Sequence, residues 1–279
     1  MEERLKEALC AHYGAGEPSA RLVESLRGAL TAQGRDPDVI DPAALGQLTE
    51  LHVGGRAVTV AIAQHFRGHG YEKILDIGCG LGGLAFHLAD TTDCQILGID
   101  PSESYIEAAE ALSARLASRG RASFRVGSAP GLDVDSESMD GAALVQVAVN
   151  VTDLDAVLAD VARVLRPGGR LILYDVAKQN EALVPYPQIW ANSVEMSFPR
   201  TLDTYRAALE RAGLVIRAEV DHGPLVERIL GGLVRDHVTP PIYLSSKPTN
   251  FDVVMNFAAA MKVGALRPFE WVADKPTRT

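Results

Sequence analysis

Asp76 stands inside the stretch ILDIGCGLGG, residues 74 to 83, where an apolar run ends in four glycines within six positions. An acid at a strand exit followed by a glycine turn is suited to hold a ligand that the main chain must approach closely, because glycine carries no β-carbon. Gly78, Gly80 and Gly83 fit the G-x-G-x-x-G string of dinucleotide sites. The string alone is weak, since Gly is already 25 of the 279 residues. A triphosphate loop would need Lys followed by Ser or Thr at the end of the turn, and that pair is absent. Asp100 lies twenty-four residues beyond Asp76, at the end of the next apolar run, where a carboxylate can accept both hydroxyls of an adenosine ribose. Asp76 itself would repel a pyrophosphate that the glycine turn might otherwise attract, and it suits a ligand bearing an ammonium. The pattern therefore favours a nucleoside ligand over a dinucleotide, with a nicotinamide-dependent oxidoreductase and a non-catalytic nucleoside-binding module kept as alternatives. Tyr174 and Lys178 match the Y-x-x-x-K string of reductases. Four residues span about 6 Å on a helix but roughly 13 Å on an extended strand such as LILYD, so the two are not expected to cooperate.

The elements that must position these groups alternate as strand and helix. Strands are predicted at 73–77, 95–99, 122–126, 141–147 and 170–175. Helices are predicted at 83–89, at 102–118 with Ser102 as N-cap, and at 153–165 begun by Asp153. Near-continuous apolar strands between helices indicate a mostly parallel sheet covered on both faces, hence an α/β core. Ahead of it lie the helix-like stretches EERLKEALCAHY, SARLVESLRGAL and GRAVTVAIAQHF. After it come a helix in TLDTYRAALERAGL, a strand VIRAEV, further helical pieces in 221–265 and a closing strand LRPFEWVAD. Residues 1–68 read as an N-terminal helical cap segment and 69–279 as the core, with cap insertions at 176–200 and 221–265. LRPGG, with Gly168 and Gly169, reads as a structural turn into the fifth strand.

Bulk properties narrow the class. A formal net charge of −9, with no basic stripe, disfavours nucleic acid. No long uncharged apolar segment suggests a membrane span, and MEERLKEALC is amphipathic rather than a leader, so the cytoplasm is the expected compartment. Cys10, Cys79 and Cys94 are widely spaced and the seven histidines are scattered, so no metal site is expected. The expected partner is a small molecule; association with further copies of the chain stays open.

The ordered series ILDIGCGLGG, GIDPS, FRVGSA, ALVQV and VLRPGGRLILYD resembles the class I, Rossmann-like S-adenosylmethionine-dependent methyltransferases. The flanks LHVGGRAVTVAIA and PYPQIWANSVEMSFPRTLDTYRAALERAGL resemble its small-molecule branch, which includes sarcosine and dimethylglycine, phosphoethanolamine, and tocopherol- or sterol-type methyltransferases. The resemblance covers about residues 50–275. It implies S-adenosylmethionine as cofactor and a seven-stranded sheet of order 3-2-1-4-5-7-6 with the last strand antiparallel. By the same resemblance Asp76, Gly78, Gly80 and Gly82 hold the methionine portion, Asp100 the ribose, and Pro101 or Ser102 lies against the adenine. Ser128 and Ala129 border the adenine amine, where many members carry an acid in place of Ala129. Gln146 faces cofactor and acceptor and is the expected orienting group. His52 is the candidate base, and Tyr13, His52, Asn150, Tyr186, Trp190 and His222 are candidate substrate contacts. Many relatives carry His where Asn150 stands, and no base is paired with another titratable group at the strand exits. This favours a reaction with small proton-transfer demand, N-methylation of a small amine, with C- or O-methylation of a specialised metabolite as the alternative.

Overall fold

The computed structural model describes residues 4–5, 8–9, 18–38, 41–116, 120–236 and 250–278. Its centre is a sheet in the order β3-β2-β1-β4-β5-β8-β7, formed by β1 (Lys73–Ile77), β2 (Gln95–Asp100), β3 (Ala122–Val126), β4 (Met139–Val145), β5 (Leu165–Lys178), β7 (Val215–Asp221) and β8 (Leu266–Asp274). The first five strands run parallel, and β8 is antiparallel to both β5 and β7. This is the expected 3-2-1-4-5-7-6 path with one addition: the two-residue β6 (Arg200–Thr201) pairs parallel with the end of β5. Among the described residues no helix is long and apolar enough to cross a membrane.

Neighbouring residues of the apolar strands go to opposite faces, which is why both members of each pair are hydrophobic. Ile74, Ile172 and Val272 join one core cluster, whereas Leu75, Leu171, Leu173 and Trp271 join the other. The first cluster is covered by α1 (Ser19–Ala32), α2 (Pro42–Thr49), α3 (Gly55–Gln64), α4 (Gly83–Thr91) and α5 (Glu103–Ser113). The second is covered by α6 (Leu154–Val164) and α7 (Leu202–Arg211). In α6 the buried Leu154, Val157, Leu158 and Val161 recur at helical spacing, and Asp153 caps the helix by accepting from the Ala156 N–H at 2.9 Å. Ser102 caps α5 as the sequence predicts.

The N-terminal helices are built into the sheet's own core. Leu22, Leu26 and Leu30 of α1 are buried in the same cluster as Ile74 and Phe86. A third cluster gathers residues of the stretch 176–200 with α8 (Gly223–Arg235) and α9 (Asn250–Lys262), around Trp190, Phe257 and Leu230. LRPGG is not a free turn. It opens the 14-residue β5 as a bulged start, with Gly168 N–H donating to the Lys275 carbonyl and Lys275 N–H donating to the Gly169 carbonyl, both at 2.8 Å.

Candidate functional site

The carboxyl ends of β1, β2 and β4 open onto a cavity of about 290 Å³, the position where open parallel sheets bind ligands. The glycine turn forms its floor. Gly78 and Cys79 donate to the Ile99 carbonyl at 2.7 and 3.1 Å, which ties the turn to the end of β2. Gly78 has φ +72°, and a β-carbon there would overlap the Val147 side chain. Gly82, at φ +84°, faces away from the cavity; a β-carbon would sit 2.9 Å from the rings of Phe86 and Phe124. At Gly80 the nearest atom would be Leu51 Cδ1 at 3.4 Å. Gly78, Gly80 and Gly83 line the cavity and Gly82 does not. Packing of the turn against its own protein explains the glycines at 78 and 82. Gly83 lets the chain leaving α2 pack onto the first turn of α4, because a β-carbon would lie 2.8 Å from Glu50 Cγ and 3.0 Å from Thr49 Oγ1.

Three buried carboxyls line this cavity. Asp100 accepts from Gly80 N–H and from Ser102 N–H, each at 2.9 Å, so it braces the glycine turn and the start of α5 as well as lining the cavity. Burial pushes it up to about 6 against those two bonds. Asp76 is pushed up to about 7, first by burial and then by the Asp100 charge, while the Ala85 N–H pulls the other way. Its Oδ2 has no hydrogen-bond partner among the described residues. Glu50, which sequence reasoning missed, is 2% exposed and is also pushed up to about 7 by burial, opposed by Arg56 and less by the Thr59 hydroxyl. Its Oε1 accepts from Arg56 at 3.2 Å, and its Oε2 is unpartnered among the described residues. A charged residue in the apolar-flanked stretch TELH was the available signal. Its meaning depends on the approach of α2 to Gly83, which no local pattern reveals.

Gln146 leaves β4 with φ +53°, its N–H donating to the Tyr174 carbonyl at 2.7 Å. Its Oε1 accepts from Val53 N–H at 2.6 Å, joining the sheet edge to the segment after α2. The Gln146 Nε2 is buried and unpartnered among the described residues. His52 lines the cavity, but both ring nitrogens are engaged, Nδ1 with the Val53 carbonyl at 3.1 Å and Nε2 with Thr59 Oγ1 at 3.0 Å. Burial holds its pKa down at about 4, which keeps the ring neutral. The Tyr174 hydroxyl donates to the same Val53 carbonyl at 2.9 Å, and Lys178 pairs instead with Glu181, so the two do not form a reductase pair.

Pro101, Ser102, Ser128, Ala129 and Asn150 also line the cavity. Asn150 Nδ2 donates to the carbonyls of Trp190 and Met196 at 2.9 and 3.0 Å. Trp190 lies behind the wall, fully buried against Phe257, with Nε1 donating to Ser197 Oγ at 2.8 Å. His222 pairs with Glu270 at 3.2 Å and packs edge-on against Tyr174. Neither these two residues nor the half-buried Tyr186 reaches the cavity lining. Tyr13 lies outside the described residues. Leu5 and Leu9 do reach the lining and supply apolar surface to it. Among the described residues no group of three or more His, Cys, Asp or Glu is arranged to hold a metal ion.

Residues 74–169 match the family described as a methyltransferase domain. The chain is similar to an O-methyltransferase of Aspergillus sclerotiorum, 34% identical over 146 residues, covering 52% of this chain and 54% of that one. It is also similar to the methyltransferase GfsG of Streptomyces halstedii, 31% identical over 64% of this chain and 63% of that one. The chain thus spans between half and two thirds of the length of these curated relatives. In fold it resembles a Haemonchus contortus phosphoethanolamine N-methyltransferase solved with phosphomonomethylethanolamine and S-adenosylhomocysteine, with a TM-score of 0.67, 19% identity, and coverage of 81% of this chain and 54% of that one.

Proposed function

We propose, from the match of residues 74–169 to the methyltransferase-domain family, that the protein transfers the methyl group of S-adenosylmethionine to a small-molecule acceptor. The observation that carries the reading is the charge of the cavity. Glu50, Asp76, Asp100 and Asp153 line it, and no Lys or Arg does so among the described residues. Such a lining attracts a nucleoside that bears a sulfonium and an ammonium, and it repels the pyrophosphate of a dinucleotide. The residues present fit that ligand. Asp100, at the end of β2, is suited to accept ribose hydroxyls, Ser128 and Ala129 line the cavity where the adenine amine is proposed, and Asp76 lines it at the glycine turn.

When bound, the cofactor supplies an already activated methyl group. What the protein must add is alignment of a nucleophile about 3 Å away in a site closed to water. Gln146 is suited to orient the acceptor, because its amide oxygen is fixed by Val53 and its Nε2 keeps free donors. His52, with both nitrogens bonded and a depressed pKa, is poorly prepared to accept a proton. An amine that arrives neutral needs no strong base, which supports nitrogen as the receiving atom. O-methylation is the second reading, favoured by the relative named as an O-methyltransferase. Incubation with methyl-labelled cofactor and a pooled metabolite extract, followed by mass spectrometry and NMR, tests both. Label on an amine is expected; label on oxygen or carbon alone overturns the nitrogen assignment, and absence of any transfer overturns the reaction.

A further inference from the structure

The cavity changes character across the sheet. Beyond β1 from Asp100, the exit of β4 and the loop after it bring Val145, Val147 and Val151 to the lining. Leu5 and Leu9 line it too, and they pack on the third cluster, which holds Val149 of the same loop and Val176 near the end of β5. Val145 packs on the first core cluster, and Val147 and Val151 pack on the second. Three apolar cores therefore back this lining. Hydrocarbon laid against it removes apolar surface from water on both partners.

An anionic group meets no cation in this space. Among the described residues no Lys or Arg lines the cavity, whereas Glu50, Asp76, Asp100 and Asp153 do. Arg56 and Arg200 are engaged within the protein. Arg56 bonds Glu50 and His87, and Arg200 donates to the carbonyls of Ala148, Val151, Thr152 and Phe198. His52 is neutral with both ring nitrogens bonded, and Asn150 Nδ2 donates to two carbonyls. A phosphate or carboxylate entering here would give up its water without gaining a charged donor, and would meet acids of its own sign. The cofactor does not reverse this. Its sulfonium and ammonium, less its own carboxylate, bring one net positive charge to a lining of four acids.

Resting on the methyl-transfer reading above, we propose that the acceptor is a lipophilic molecule without phosphate or carboxylate, its hydrocarbon body lying against Leu5, Leu9, Val145, Val147 and Val151. A single amine or hydroxyl is its reacting end, presented at Gln146. Amino acids and phosphorylated amines are thereby excluded as acceptors, whichever atom receives the methyl group.

The test has two arms, both on the full chain. In the first, a metabolite extract is divided at neutral pH on an anion exchanger, and each fraction is incubated with the protein and methyl-labelled S-adenosylmethionine. Label is expected from the unretained fraction, in a product that passes into ethyl acetate; label confined to the retained fraction overturns the proposal. In the second, calorimetry on the protein saturated with S-adenosylhomocysteine compares octanol, octylamine, octanoate and octyl phosphate, which share one chain and differ in head group. Octanol and octylamine should bind more tightly than either anion by roughly tenfold or more. Equal or tighter binding of octanoate or octyl phosphate overturns the proposal, and so does the absence of saturable binding by both octanol and octylamine. Leu9→Lys puts a cation in the wall and should narrow the gap between octanol and octyl phosphate by roughly threefold or more. An unchanged gap overturns the placement of the hydrocarbon body. Failure of S-adenosylhomocysteine to bind, with no label from any fraction, would instead remove the methyl-transfer reading on which the proposal rests.

Discussion

Asp100 carries two duties. Its carboxylate is the one we propose for the ribose hydroxyls, and both of its oxygens already accept backbone N–H groups, from Gly80 and from Ser102. Asn has one carbonyl oxygen where the carboxylate has two, so Asp100→Asn must turn an NH2 group toward one of those N–H donors. We therefore expect Asp100→Asn to weaken cofactor binding by about 2–4 kcal/mol, close to the effect of Asp100→Ala, as measured by calorimetry. Retention of parental affinity by either variant would remove Asp100 from the site. The acid itself was legible in the sequence because it ends an apolar strand that follows a glycine turn. Its bracing of the glycine turn was not, since that bond runs to a loop twenty residues away. Glu50 was hidden for a related reason: its neighbours along the chain say nothing of Gly83, and only the packing of α2 on α4 brings the two together.

At the scale of elements, the loop after β4 is held by a buried acid and a base from the next units. Asp175 Oδ2 accepts from Val149 N–H at 3.1 Å, and Oδ1 accepts from Val176 N–H at 2.7 Å. Arg200 donates to the carbonyls of Ala148, Phe198, Val151 and Thr152. These bonds position the cavity wall from Gln146 to Asp153, although neither Asp175 nor Arg200 lines it. Arg200→Ala leaves those carbonyls without their charged donor and is expected to cost about 2–3 kcal/mol of stability, since bonds to a charged group are worth more than neutral ones. Protease cleavage within residues 147–153 should rise; an unchanged urea midpoint and cleavage pattern would show the clamp to be dispensable. The mostly parallel sheet was legible from apolar runs alternating with helices, because both sheet faces are covered, and its strand order followed from the family resemblance. The clamp was not, since Asp175 and Arg200 sit in stretches whose polar residues read equally well as solvent-facing. Of the parts named as caps, α1, α3, α8 and α9 were legible as helices but not as to what they cover: α1 and α3, with the unexpected α2, join the sheet's core, and Trp190, in the stretch 176–200 that has no α-helix, serves the third cluster.

For the whole molecule, the buried carboxyls make stability depend on pH. Glu50, Asp76 and Asp175 are each pushed up to about 7, in every case first by burial. They bind protons more tightly folded than unfolded, so the stability they contribute is present at low pH and lost as pH rises through about 7. His52 and His87, held down at about 4, act oppositely, but their effect is complete once the unfolded-state value near 6.5 is passed. Between pH 6.5 and 8 the carboxyls dominate, and stability without ligand should fall on the order of 1 kcal/mol for each group. Urea unfolding at the two pH values reads this directly; a rise toward pH 8 would contradict it. Cofactor affinity should strengthen over the same interval, because the ionised carboxylates are the form that attracts a cation.

The most direct test of the whole account is a calorimetric comparison of S-adenosylmethionine, S-adenosylhomocysteine and NAD on the unmodified chain. An acid-lined cavity with unpartnered carboxyl oxygens predicts saturable binding of the first two and none of NAD. Tight binding of NAD without binding of either sulfur nucleoside would contradict it.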